Sequence, residues 1–175
     1  IRAMNNIPLA KLMDLGAALD AVPKKRQNWE NRARDYVKDK LDKTRISTWH
    51  PVDEVHKGIP DARYFSTDKN PIQKALWVEY KHMSELPVRD TTKVKPSWSS
   101  DLQRITLTAF ARAGDNCRAV LFYGQDERVD TMLVFIFKTV DEWTNGVPVA
   151  EVRKRSISIQ TYISMLNGMF KGGEK

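Results

Sequence analysis

The stretch GIPDARYFSTDKNPIQKALWVEYK, residues 58–81, holds an acid, a turn, and then an acid separated by one residue from a lysine. These residues are Asp61, Glu79 and Lys81. Side chains alternate across an extended chain, so in ALWVEYK Leu76, Val78 and Tyr80 take one face and Trp77, Glu79 and Lys81 the other. A hairpin turning around Asn70–Pro71 sets Asp61 opposite Glu79, on the same face and roughly 4.5–5.5 Å away. Two carboxylates that close repel, and they do not both stay ionised without a cation beside them. A divalent ion that prefers hard oxygen ligands, Mg2+ or Mn2+, removes the conflict. Lys81 then stands where an ammonium positions or activates a water, or stabilises developing negative charge. The plainer alternative is a solvent-facing cluster of ion pairs on an exposed sheet face, because Glu-x-Lys triplets arise readily by chance.

The elements that must position these residues are legible from periodicity. In IPLAKLMDLGAALDAV, Leu9, Leu12, Met13 and Leu19 recur at helical spacing, which predicts a first helix ending near Pro23. PKKRQ is a basic connector. In NWENRARDYVKDKLDK, Trp29, Ala33, Tyr36, Val37 and Leu41 form the apolar stripe of a second helix, with Asn28 as its N-cap. The period then changes. RISTWHPV, DARYF and ALWVEYKHM predict three strands, and ELPVRDTTKVKPSW a polar, basic loop. SSDLQRITLTAFARAG predicts a helix capped by Ser99 or Ser100, with Leu102, Ile105, Leu107 and Phe110 inward and Gly114 ending it. CRAVLFYG and VDTMLVFIF predict two more strands, and SISIQTYISMLNGMF a last helix. Strands interspersed with helices imply an α/β fold, a central mixed β-sheet flanked by helices.

With these elements in place, Pro60-Asp61, then Glu79-Tyr80-Lys81, then a helix carrying Gln103, resemble the PD-(D/E)xK nuclease superfamily. Within it the chain is most similar to the virus-type replication-repair (VRR-NUC) and phage-encoded endonuclease branch. The likeness runs from about Glu30 to Tyr123. It implies a restriction-endonuclease-like core and a Mg2+-dependent DNA endonuclease associated with a phage or mobile element, with Mn2+ able to substitute. Carried onto this chain, it implies that Asp61 and Glu79 bind the metal together with the main-chain carbonyl of Tyr80. Lys81 would orient the attacking water, and hydrolysis would leave a 5′-phosphate. It further implies that Gln103 contacts that water or a phosphate and that Glu30 is an additional acid. The alternatives are a surface glutamine and a first-turn glutamate favoured by the helix dipole. Neighbouring readings are a nuclease for branched or single-stranded DNA and a non-catalytic DNA-binding protein on the same fold.

A DNA substrate calls for cations along its backbone. Candidates are Lys24, Lys25 and Arg26, then Arg89, Lys93 and Lys95 in the loop leaving the Glu79 strand, and Arg153, Lys154 and Arg155 near the end. Trp98 is placed either to stack on an unpaired base or to pack ahead of its helix as a core residue. The formal charge of +7 over 175 residues agrees with a polyanionic partner.

Composition excludes several other classes. With 41% hydrophobic and 29% charged residues the chain can bury one core, and no run approaches the ~18 apolar residues of a membrane helix. The opening IRAMNNIPLAKLMDLGAALDA lacks a basic stretch followed by an unbroken apolar one, so no secretory leader is expected. Either residues precede Ile1 or Met4 is the natural start. The lone Cys117 forms no internal disulfide, which points to a reducing, cytoplasmic setting. His50, His56 and His82 match no zinc spacing, and no phosphate-binding glycine loop or Ser-His-Asp grouping is present. The expected organisation is a single nuclease domain over 1–175. It comprises an N-terminal helix and connector (1–27), a catalytic core (28–123) and a strand-and-helix extension (124–175). Cutting both strands of a duplex takes two sites, which points to a homodimer, although no feature of the sequence identifies an interface.

Overall fold

A computed structural model describes residues 28–50, 58–67, 75–98, 100–124 and 128–170. The expected helix ahead of Pro23, the 24–26 basic run, His56 and the Asn70–Pro71 turn lie outside them. Helix α1 (Trp29–Lys40) starts where the sequence predicts, with the Asn28 side chain accepting a 3.2 Å hydrogen bond from the Asn31 N–H. Glu30 lies in its first turn and Lys38 and Lys40 in its last, each suited to the helix dipole. Ala33 and Val37 are buried one turn apart, and Leu41 continues their stripe.

Three strands follow: β1 (Ile46–Trp49), β2 (Ala62–Ser66) and β3 (Leu76–Met83). They pair antiparallel in sequence order. The chain then runs through β4 (Lys93–Val94) and helix α2 (Asp101–Arg112) to β5 (Cys117–Tyr123), which lies parallel to β3. A 3-10 turn at Val129–Thr131 leads into β6 (Leu133–Phe137), antiparallel to β5. The strand therefore starts at Leu133, later in the chain than the predicted VDTMLVFIF strand.

The remainder is more broken than a strand and a helix. It comprises α3 (Val140–Asn145), β7 (Val147–Pro148), α4 (Val149–Arg155), β8 (Ile157–Ser158) and α5 (Ile159–Met169). The main sheet runs β1-β2-β3-β5-β6-β8, while β4 and β7 form a separate two-stranded ribbon. This is the expected α/β architecture, a central mixed sheet flanked by helices.

The two faces of the sheet bury different layers. Leu76, Val78, Tyr80, Val120, Phe122 and Val134 face α1 and α5, which supply Ala33, Val37, Tyr162, Ile163 and Leu166. Ala119, Leu121, Phe135 and Phe137 face the other layer, built from Leu107, Trp143, Val149 and Val152 on α2, α3 and α4. Covering on both faces is why β5 reads as an apolar run broken only by Arg118.

Helix α2 departs from its predicted face. Leu107 is buried and Phe110 packs on the core, but Leu102 and Ile105 are 50% and 53% exposed. Only the C-terminal half of α2 lies on the sheet; its first turn overhangs the 58–61 turn, where Leu102 meets Gly58. Gly58 has φ +90, and a Cβ there would run into Leu102 Cγ. Both the backbone conformation and the close approach therefore require glycine.

Candidate active site

The site is built where β2 and β3 begin to part. Ala62 lies opposite Val78, Arg63 opposite Trp77 and Tyr64 opposite Leu76. One step further, the same register brings Asp61 to Glu79. Asp61 donates its N–H to Glu79 Oε2 at 3.2 Å, and Tyr80 donates its N–H to Asp61 Oδ2 at 2.7 Å. The two acids thus close the end of the ladder with side-chain oxygens in place of carbonyls.

Pro60 explains why they are needed. Trp77 sends its N–H toward β5, to the Asn116 carbonyl at 2.9 Å. Alternation then directs both the N–H and the C=O of Tyr80 toward β2. The residue due opposite Tyr80 is Pro60, which has no N–H to give that carbonyl. The Tyr80 carbonyl is thereby left beside the two carboxylates without a ladder donor. The Tyr80 side chain points the other way, into a buried chain of phenols. Its hydroxyl lies 2.6 Å from that of Tyr64 and 3.3 Å from that of Tyr162.

Lys81 shares the face of Glu79. Its Nζ lies 2.6 Å from Glu79 Oε1 and 3.8 Å from Glu30 Oε1, so α1 contributes a third acid across the end of the sheet. Glu79 and Lys81 are 1% and 2% exposed, so this is not the solvent-facing ion-pair cluster of the plainer alternative. At 2.6 Å the Lys81 ammonium is the charged partner of Glu79 Oε1.

Burial and charge together set the protonation of the cluster. Burial pushes the Glu79 carboxyl up to about 7, the Asp61 charge adds to this, and Lys81 only partly offsets it. Burial likewise raises Glu30, with Lys81 opposing and Asp61 assisting. For Lys81, burial pulls downward, but Glu79, Glu30 and Asp61 outweigh it and hold the ammonium charged above its ordinary range. His50 Nδ1 lies 3.0 Å from the Asp61 carbonyl oxygen, and because a carbonyl only accepts, Nδ1 carries the hydrogen. Burial lowers the His50 pKa and keeps the ring neutral.

Among the described residues, no group of three or more His, Cys, Asp or Glu side chains is placed to hold a metal ion. The available donors are the carboxylates of Asp61 and Glu79 and the Tyr80 carbonyl. All are hard oxygens, and the charge of Asp61 works against that of Glu79. That set fits Mg2+ or Mn2+.

Asp61, Glu79, Lys81 and Glu30, chosen from sequence, come together, and Tyr80 joins them through its main chain. Gln103 lies half-buried in the first turn of α2, next to the Leu102 that meets Gly58. Arg89, Lys93 and Lys95 are exposed, on a segment pinned to the β7–α4 corner. Val149 and Ala150 donate their N–H groups to the Thr92 and Asp90 carbonyls, and Arg153 pairs with Asp90. Trp98 is half-buried against the layer of α2 and α3, the place of its core-packing alternative. Arg155 is bound to Glu142 at 2.7 Å.

Sequence reasoning passed over His50, and it missed Trp49 and Arg63, which flank Trp77 on the site face. Their signal lies in the β1–β2 register, which the turn residues between those strands do not fix.

No protein-family model matches the chain, and no curated protein matches it. Among solved structures, it is similar to that of Archaeoglobus fulgidus Hjc, a Holliday junction resolvase from an archaeal hyperthermophile. The TM-score is 0.39 and the identity 18%, over 70% of this chain and 98% of that one. The functional reading below rests on the residues of the site. No helix among the described residues is long and apolar enough to cross a membrane.

Proposed function

We propose that this chain is a metal-dependent DNA endonuclease that hydrolyses phosphodiester bonds at Asp61, Glu79 and Lys81. One observation carries the reading: a buried carboxylate, Glu79, stands between a second carboxylate, Asp61, and the buried ammonium of Lys81, 2.6 Å away.

Asp61, Glu79 and the Tyr80 carbonyl would hold the divalent ion. When bound, such an ion supplies Lewis acidity to a phosphoryl oxygen and lowers the pKa of a water. The chain's own groups do the rest. Lys81, held charged by Glu79 and Glu30, orients the attacking water and stabilises the charge that grows on the phosphoryl oxygens. His50 fixes the main chain at Asp61, so that its carboxylate keeps the direction that Tyr80 N–H also sets. Gln103 would contact the water or a phosphate. Arg89, Lys93 and Lys95, with Lys24, Lys25 and Arg26, provide cations for the DNA backbone. Cleavage of both strands brings two such sites together in a homodimer, and the lone thiol of Cys117, buried and pushed up to about 12 by burial, fits an intracellular setting.

Nicking of supercoiled plasmid, titrated with Mg2+ and with Mn2+, tests the proposal. The parent is expected to nick only with the ion, and Asp61→Ala and Lys81→Ala to lose on the order of 100-fold or more in rate. Variants that cut as fast as the parent would sink it. Salt-sensitive binding with no nicking under any ion would leave a DNA-binding protein.

A further inference from the structure

The row of side chains beside the two acids is not used by the hydrolysis. On the site face, Trp49 of β1 lies opposite Arg63 of β2, and Arg63 opposite Trp77 of β3. Arg63 is two residues from Asp61 and Trp77 two residues from Glu79, so the row runs parallel to the acids at ~6.6 Å. It is the next step along the same surface.

The row has an aromatic and a cationic part. The Arg63 guanidinium carbon lies 5.1 Å from the centre of the Trp77 ring and 5.8 Å from that of Phe65. Phe110 of α2 covers Trp77 from 5.0 Å. Trp49 stands perpendicular to Trp77, with ring centres 6.0 Å apart, and is 38% exposed at the edge of the sheet. Arg63 Nε is buried without a hydrogen-bond partner. An edge strand ordinarily carries small or charged groups toward solvent. Here it carries a partly exposed indole with a cation on the neighbouring strand.

We propose that Trp49 and Arg63 form a subsite for one unpaired nucleotide next to the scissile phosphate, the base stacking on Trp49 and a phosphate meeting Arg63. This rests on the nuclease reading and specifies its substrate class as DNA with an unpaired nucleotide, as at a gap, flap or junction, rather than continuous duplex. The chemistry is selective because a paired base has both faces covered by its neighbours, whereas a splayed one presents a face to an indole. The excess of positive charge favours a polyanion over an apolar protein partner as occupant.

The test is made on the full chain in metal-free buffer, so that it does not depend on cleavage. A duplex with a one-nucleotide gap carries 2-aminopurine at the unpaired position, and a continuous duplex of the same sequence is the competitor. Binding by the parent is expected to quench the probe and to favour the gapped DNA. Trp49→Ala should lose the quench and about tenfold of that preference, while Trp49→Phe, which keeps a ring, should retain most of both. A Trp49→Ala protein with the parent's quench and preference would overturn the subsite. Equal losses in the Phe and Ala variants would overturn it as well, because stacking would not be what Trp49 supplies. Plasmid nicking by the parent with Mg2+ separates the two proposals. No nicking, with the quench still lost in Trp49→Ala, removes the nuclease and leaves the subsite; nicking with an unaltered quench does the reverse.

Discussion

Replacing Glu79 by glutamine tests the electrostatics of the site without any DNA. In the folded protein the Glu79 carboxyl is raised from an ordinary 4.5 to about 7, chiefly by burial. An acid with the higher pKa in the folded state holds its proton there while the unfolded chain has released it. Stability therefore falls as pH rises between those two values. At about 1.4 kcal/mol for each pH unit between them, the loss is on the order of 3 kcal/mol by about pH 8. Glutamine has the same shape and does not titrate. His50 and His82, both lowered by burial, act in the opposite sense, but they do so equally in both proteins. The difference between variant and parent reports Glu79 together with the charges coupled to it, Glu30, Asp61 and Lys81.

The assay is urea unfolding of both proteins at about pH 5, 6, 7 and 8 in metal-free buffer. Lys81 loses its nearest charge in the variant, so absolute stabilities shift and the pH trend is the readout. The variant should gain on the parent by on the order of 3 kcal/mol across that range. Added Mg2+ should reverse the parent's loss, because an ion takes the place of the proton. An ion at a hundredfold excess over its Kd contributes about 2.7 kcal/mol. The variant, lacking one carboxylate, should respond far less. A difference that changes by less than about 1 kcal/mol between the pH extremes would refute the account of Glu79.

Three further perturbations follow from the geometry. Gly58→Ala forces a positive-φ residue onto Leu102 and should lower stability by more than about 1 kcal/mol, as read by thermal or urea unfolding. Adding Leu102→Ala should relieve the clash but not the backbone strain. Tyr80→Phe removes the central hydroxyl of the buried phenol chain and leaves those of Tyr64 and Tyr162 without it, a loss of about 1–3 kcal/mol. Tyr162→Phe, which breaks only the 3.3 Å link at the end, should cost less in the same urea titration. Asn28→Ala removes the cap of α1 and should cost about 1 kcal/mol, measured by the shift in urea midpoint.

Much of this protein was legible because its local signals are self-contained. Asn28 and Ser100 cap their helices through side-chain oxygens that reach only three residues ahead. The alternation Leu76, Val78, Tyr80 against Trp77, Glu79, Lys81 needs nothing beyond the pleat of one strand. The hairpin register that brings Asp61 to Glu79 depends on two neighbouring strands and the span between them, and the observed pairs agree with it. The branched C-terminal part was less readable, because α3, α4, β7 and β8 are too short for any period to emerge.

What long-range packing decided is of a different kind. Leu102 and Ile105 carry the helical spacing of a core stripe, yet the first turn of α2 overhangs the sheet and leaves them in solvent. Glu79 and Lys81 could equally have formed a wet ion pair on an open face. They are buried in the paired sheet with α1 bringing Glu30 to Lys81, and that burial raises Glu79 toward neutrality. Trp49 and Arg63 reach the site only through the pairing of β1 with β2, whose register the residues between them do not reveal. Spacing along a chain sets which side chains share a face, whereas the dielectric around them and the neighbours they meet come from segments far away in sequence.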